Sequence, residues 1–108
     1  MPQGLYKVEF RTPIGNGEGL VVLVGGRIWG GDPILGYTGT YSEQGDTFRA
    51  DVQTFRHGSV PGMSSVFGKD NVHISLHGKF IGDSAQMTGT AREAPGVGFL
   101  ARLTKLHD

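Results

Sequence analysis

Cysteine is absent from this chain, and its absence excludes disulfides, thiolate metal sites and a cysteine nucleophile together. A surplus of charge of either sign is missing too, with ten Lys and Arg against ten Asp and Glu, scattered singly. Without a basic stripe to neutralise several phosphates, nucleic-acid binding lacks its main electrostatic driving force. No apolar run approaches the ~18 residues needed to span a bilayer. The opening Met1-Pro2-Gln3-Gly4 has neither the basic head nor the apolar stretch of a secretory signal. The expectation is one soluble cytoplasmic domain over 1–108, with no direct nucleic-acid or membrane partner.

Catalytic groupings are equally scarce. Catalysis needs a nucleophile beside a base, or two carboxylates in one pocket. Ser42, Ser59, Ser64, Ser65, Ser75 and Ser84 have no elbow or triad-like context, and Glu9, Glu18, Asp32, Glu43, Asp46 and Asp51 fall in turns or on polar faces. His73 and His77 share a face of one expected strand, but two pleats place them roughly 13 Å apart at 3.3 Å rise per residue, too far to share a metal ion. They are expected to face solvent. Gly15-Asn16-Gly17-Glu18-Gly19 has the glycines of a phosphate loop. It leads into the strand-like Leu20-Val21-Val22-Leu23, not into the helix N-terminus on which such loops depend. No catalytic residue, metal or cofactor is expected, and the chain is not expected to be an enzyme.

What the chain does have is glycine, 19 of 108 residues, much of it inside strand-like runs. Glycine weakens an isolated strand, so its repeated use suggests a sheet that bends, bulges or admits a close backbone approach. Period-two alternation runs the length of the chain. Tyr6, Val8 and Phe10 share one face; Pro13, Gly15 and Asn16 signal a turn; Leu20 to Leu23 form a nearly continuous apolar strand ending at the hairpin signal Gly25-Gly26; Arg27 to Trp29 follow. Asp32-Pro33 breaks the chain. Tyr37, Gly39 and Tyr41 then alternate, Ser42 to Asp46 turn, and Phe48, Ala50 and Val52 share a face. In the last third Val72, Ile74, Leu76 and Phe80 form one strand. Met87 and Ala91 follow Gly82-Asp83, and Val97, Phe99, Ala101 and Leu103 follow a turn at Pro95-Gly96.

One stretch has helical spacing. Pro61 suits a first turn, Met63, Val66 and Phe67 recur at three and four, and Gly68 suits a stop, which predicts one short helix near residues 61–67. The whole pattern predicts an all-β fold: an eight-stranded antiparallel up-and-down barrel of the lipocalin-like kind. Short connections favour a meander, and closure removes exposed edges. A barrel of this size has an interior that is either filled or holds one small ligand. Trp29, Tyr37, Tyr41, Phe48, Phe80 and Phe99, with Phe55 and Phe67, could fill that core or line a pocket for a small apolar ligand. The glycines on the same faces, Gly39, Gly78 and Gly89, would leave room inside.

Gly4-Leu5-Tyr6 leading to Phe10, Gly17-Glu18-Gly19 before an apolar strand, Gly30-Gly31-Asp32, Tyr37-Thr38-Gly39 and Val60-Pro61 occur in an order that resembles the GrlR-like family. These are negative regulators of type III secretion with a lipocalin-like barrel. The resemblance covers roughly residues 4 to 56, and Val60-Pro61 continues it into the short helical stretch; from Val72 onward only the strand pattern supports it. It implies a homodimer that acts by protein binding, sequestering a transcriptional activator, with an exposed Glu-Asp-Glu-Asp turn as the associated motif. That turn falls on Glu43, Gln44, Gly45 and Asp46, so two of the four acids are missing. Glu43 and Asp46 are the partner-binding positions that the resemblance implies, with far less charge to offer a basic partner.

Overall fold

In the computed structural model, which describes residues 3–62 and 71–108, eight strands follow one another round a closed antiparallel barrel. They are β1 (Gly4–Thr12), β2 (Gly15–Val24), β3 (Arg27–Gly31), β4 (Leu35–Gln44), β5 (Thr47–Arg56), β6 (His73–Ile81), β7 (Ser84–Ala91) and β8 (Ala94–His107). Each strand pairs with the next, and β8 returns to pair with β1 from Leu5↔His107 to Arg11↔Leu100. Every strand thus has two neighbours, and no long edge is left to recruit another chain.

Three two-residue turns lie at one end of the barrel. Gly25 and Gly26 both have positive φ, 57° and 83°, as a type I′ hairpin turn requires; Gly45-Asp46 and Gly82-Asp83 have positive φ only at the glycine, 62° and 64°, as in type II′. The opposite end carries Pro13-Ile14, Asp32–Ile34, the residues that follow β5 and precede β6, and Arg92-Glu93.

Several expected boundaries move. Gly15 and Asn16 are not a turn but the first residues of β2, paired with Thr12 and Arg11. Ser42, Glu43 and Gln44 extend β4 against Arg49, Phe48 and Thr47. Pro95-Gly96 lies inside β8, where the register jumps from Gly89↔Phe99 to Ala91↔Ala94. Gly96 has φ 83° within that irregularity, so a positive-φ glycine marks a bulge here and not a strand end. In each case barrel closure offers backbone partners to residues whose local preference is to turn. Pro61 and Gly62 form a turn, residues 63–67 of the expected helix lie outside the described residues, and no helix occurs among the described ones.

The alternation sorts the side chains as read. Tyr6, Val8, Val21, Leu23, Ile28, Tyr37, Phe48, Ala50, Ile74, Leu76, Ala85, Met87, Phe99, Ala101 and Leu103 are all buried inside. Ile34, Leu35 and Val72 join them from the end opposite the tight turns. Gly39, Gly78 and Gly89 do not leave the room expected of them; with Gly30 they serve the close backbone approach that the glycine content also suggested. A Cβ on Gly30, Gly39, Gly78 or Gly89 would overlap the backbone carbonyl oxygen of Leu20, Asp51, Gln86 or Ser75 on the neighbouring strand. They leave no spare room; they let adjacent strands close tightly where the sheet coils.

Candidate functional site

Aromatic rings divide the interior in two. At the tight-turn end Phe80 stands edge-on to both Tyr6 and Phe48, with centroids 6.0 and 5.4 Å apart, and Tyr41 lies 5.6 Å from Phe48. These four rings, drawn from β1, β4, β5 and β6, plug that end. Tyr6 is fully buried, and burial above all, with Asp83 next, pushes its phenol up to about 12.

Towards the other end a cavity of about 120 Å³ remains, walled by apolar side chains that include Val21, Ile28, Ala50, Leu76 and Met87. A second ring group borders it. Phe10 stacks on Phe99 at 6.0 Å and 22° and meets Tyr37 edge-on at 6.1 Å and 85°. Phe10 can lie there because its ring occupies the position a Cβ on Gly17 would need.

The Asp32 carboxylate organises this end. Asp32 Oδ1 accepts hydrogen bonds from the Ile34 and Leu35 backbone N–H groups at 2.8 and 2.7 Å, and Oδ2 accepts one from the Tyr37 hydroxyl. An aspartate that binds backbone N–H groups two and three residues on is an Asx-type turn, so Asp32-Pro33 is more than a break. Burial first, then the bond to Asp32 and its charge, drives the Tyr37 phenol far above its ordinary value. The same loop holds the connection after β5: the Ile34 carbonyl accepts from the N–H groups of His57 and Gly58 at 2.8 and 3.1 Å, and His57 Nε2 donates to the Asp32 carbonyl at 2.8 Å.

Two further pairings close the rim. Thr54 is buried; its N–H donates to the Val72 carbonyl at 3.0 Å, and its Oγ1 accepts from Val72 N–H at 3.1 Å. Glu93 accepts from His73 twice, from the backbone N–H at 2.7 Å and from Nδ1 at 2.6 Å. The His73 side-chain bond, then the backbone one, holds the Glu93 carboxyl down at about 2. His73 is therefore engaged and half-buried, not simply turned to solvent as expected; His77 is exposed.

The expected ligand residues divide accordingly. Tyr37, Phe48 and Phe99 border the cavity. Tyr41 and Phe80 belong to the plug. Trp29 lies outside: the strand places Ile28 inward and leaves Trp29 42% exposed, with the Arg27 guanidinium 4.8 Å above its ring. Alternation puts odd positions of β3 outward, and the tryptophan's size does not override that. Phe55 is likewise outside, 45% exposed, across Gly36. Glu43 and Asp46 are both exposed beside the Gly45 turn, away from the cavity mouth. Phe10 and Asp32 are the site residues that residue-type reasoning passed over. Their signals were an inward aromatic opposite Gly17 and an aspartate before proline.

On the outer wall apolar side chains run together. Leu5, Val22 and Trp29 are neighbours across β1, β2 and β3, and Leu20 continues through the Gly31↔Gly36 pair to Phe55. Among the described residues no cluster of three or more His, Asp or Glu groups is placed to hold a metal ion. No protein-family model matches this sequence, and no curated protein matches it.

Proposed function

We propose that this chain is a non-enzymatic regulatory protein of the cytoplasm with a lipocalin-like barrel, working as the GrlR-like resemblance implies: as a homodimer that binds and sequesters a protein, in that family a transcriptional activator. The supporting observation is the outer apolar strip of exposed Leu20, Trp29 and Phe55 with half-buried Val22, since contiguous apolar surface of this kind marks protein contact. The exposed turn with Glu43 and Asp46 supplies two carboxylates for a basic patch on the partner. Charge there steers association and sets specificity more than it adds affinity. Affinity capture from the source cell, followed by Glu43→Lys with Asp46→Lys and separately Trp29→Ser with Phe55→Ser, tests this reading. It requires one specific protein that both double variants lose; capture unaffected by either pair overturns it.

A second reading has its own observation. The cavity between the aromatic plug and the mouth has the form of an internal site for a small apolar ligand. Native mass spectrometry of the purified protein should then show a retained small molecule. Trp29, being outside, would not report on its binding.

A further inference from the structure

We infer that the cavity takes a small organic cation, a protonated amine or quaternary ammonium on an apolar body of about one ring, and rejects carboxylates such as fatty-acid anions. This rests on the internal-ligand reading above and adds the charge of the ligand to it.

Size comes first. The cavity of about 120 Å³ is close to the roughly 150 Å³ apolar cavity that accepts a benzene ring. Its walls supply no groove for a long chain, because the plug of Tyr6, Tyr41, Phe48 and Phe80 closes the far end. A ring fits inside only if any polar head stays at the mouth.

Charge decides which head the mouth accepts. Among the described residues bordering the cavity none is Lys, Arg or His, so a carboxylate would find no cationic partner among them and would lose hydration uncompensated there. Two acids border it, but the Glu18 carboxylate lies on the outer wall against Lys7 at 3.3 Å. Among the described residues Asp32 is left as the carboxylate bordering the cavity, while Glu93 at the rim is bonded to His73. The Asp32 Oδ1 is taken by two N–H groups and its Oδ2 by one O–H. A carboxylate offers about four acceptor sites, which leaves one for an incoming N–H⁺. Any anion would instead meet a like charge.

The rings complete the recognition. Phe10, Tyr37 and Phe99 cluster at the same end, and aromatic rings beside a carboxylate are how proteins hold alkylammonium groups. His57 has its ring on the Asp32 backbone carbonyl and does not border the cavity.

The test uses three probes that share one ring and differ in charge, toluene, benzylammonium and benzoate, added at neutral pH to the whole chain labelled at its methionine methyls. Met87 borders the cavity and is the reporter. Toluene and benzylammonium should shift the Met87 methyl resonance, with benzylammonium at least tenfold tighter than benzoate. Added salt should weaken benzylammonium and leave toluene unchanged. Asp32→Asn, which keeps an acceptor for Ile34 and Leu35, should cost benzylammonium about tenfold and toluene nothing. Toluene binding with benzoate as tight as benzylammonium overturns the charge inference while the internal-ligand reading stands. No Met87 response to any of the three overturns both, and the wild-type series alone decides this if the variant does not fold.

Discussion

Tyr37 donates its hydroxyl hydrogen to the Asp32 carboxylate five residues earlier, and through that bond the inner wall of β4 holds the loop that enters it. The same carboxylate fixes Ile34 and Leu35, and Ile34 in turn fixes His57 and Gly58. A single acidic side chain thus organises the loop between β3 and β4 and, through Ile34, holds His57 and Gly58 after β5.

Removing it leaves a buried phenol and two backbone N–H groups without their acceptor. Asp32→Ala should lower stability by about 3 kcal/mol and Asp32→Asn by about 1 kcal/mol. Urea unfolding followed by circular dichroism checks both; equal midpoints for the two variants would show that the acceptor geometry is unimportant.

Alkali should unfold the protein through its tyrosines. In the folded state Tyr6 holds its proton up to about 12, against 10.0 when unperturbed, and Tyr37 moves in the same direction. The folded chain therefore binds more protons than the unfolded one above pH 10, and stability, intact below that, falls as pH climbs towards 12. Absorbance at the phenolate band, recorded alongside the unfolding midpoint, should show ionisation of these groups only as structure is lost.

Acid acts through Glu93 with the opposite sign. Its folded value of about 2 lies below the ordinary 4.5, so its contribution is present above pH 4.5 and is lost as pH falls towards 2. The gap in urea midpoint between wild type and Glu93→Gln should be widest near neutrality and should vanish near pH 2. A gap independent of pH would assign the effect to packing.

Glycine substitutions should separate sharply by position. Gly78→Ala and Gly89→Ala press a methyl into a neighbouring carbonyl and should each cost about 2 kcal/mol or more. Gly98 in β8 has open space around its Cβ position, so Gly98→Ala should lie within about 0.5 kcal/mol of wild type. Thermal melts of the three variants decide between local sterics and a general need for glycine in these strands.

The outer and inner aromatics should differ as clearly. Phe48, 1% exposed, is in contact with both Tyr41 and Phe80, and Phe48→Ala should cost about 3–5 kcal/mol. Trp29→Ala should cost under about 1 kcal/mol, and Trp29 fluorescence should be readily quenched by acrylamide because the ring is on the surface. Strong protection of Trp29 in dilute solution would instead mean that a second molecule covers the strip.

Much of this architecture is legible in residue order. The run Tyr6, Val8, Phe10 faces inward as its period of two demands, and Gly25-Gly26, Gly45-Asp46 and Gly82-Asp83 turn where their dihedrals allow. Reading failed where local chemistry was ambiguous. Gly15, Asn16, Pro95 and Gly96 have turn character but were drawn into ladders by neighbouring strands. Asp32 gave a local signal whose importance depended on Tyr37 lying above it.

The sequence by itself determined the number of strands, the inward faces and the tight hairpins, because side-chain alternation and glycine dihedrals act between neighbours along the chain. Only the tertiary structure decided that Phe10 would stack on Phe99, that Tyr6 would meet Phe80 and seal one end, and that Gly78 and Gly89 would carry backbone contact and not empty space. Those outcomes depend on how far each strand slides against the next when β8 closes on β1. That shift is set by packing all eight strands at once, and no local window of residues contains it.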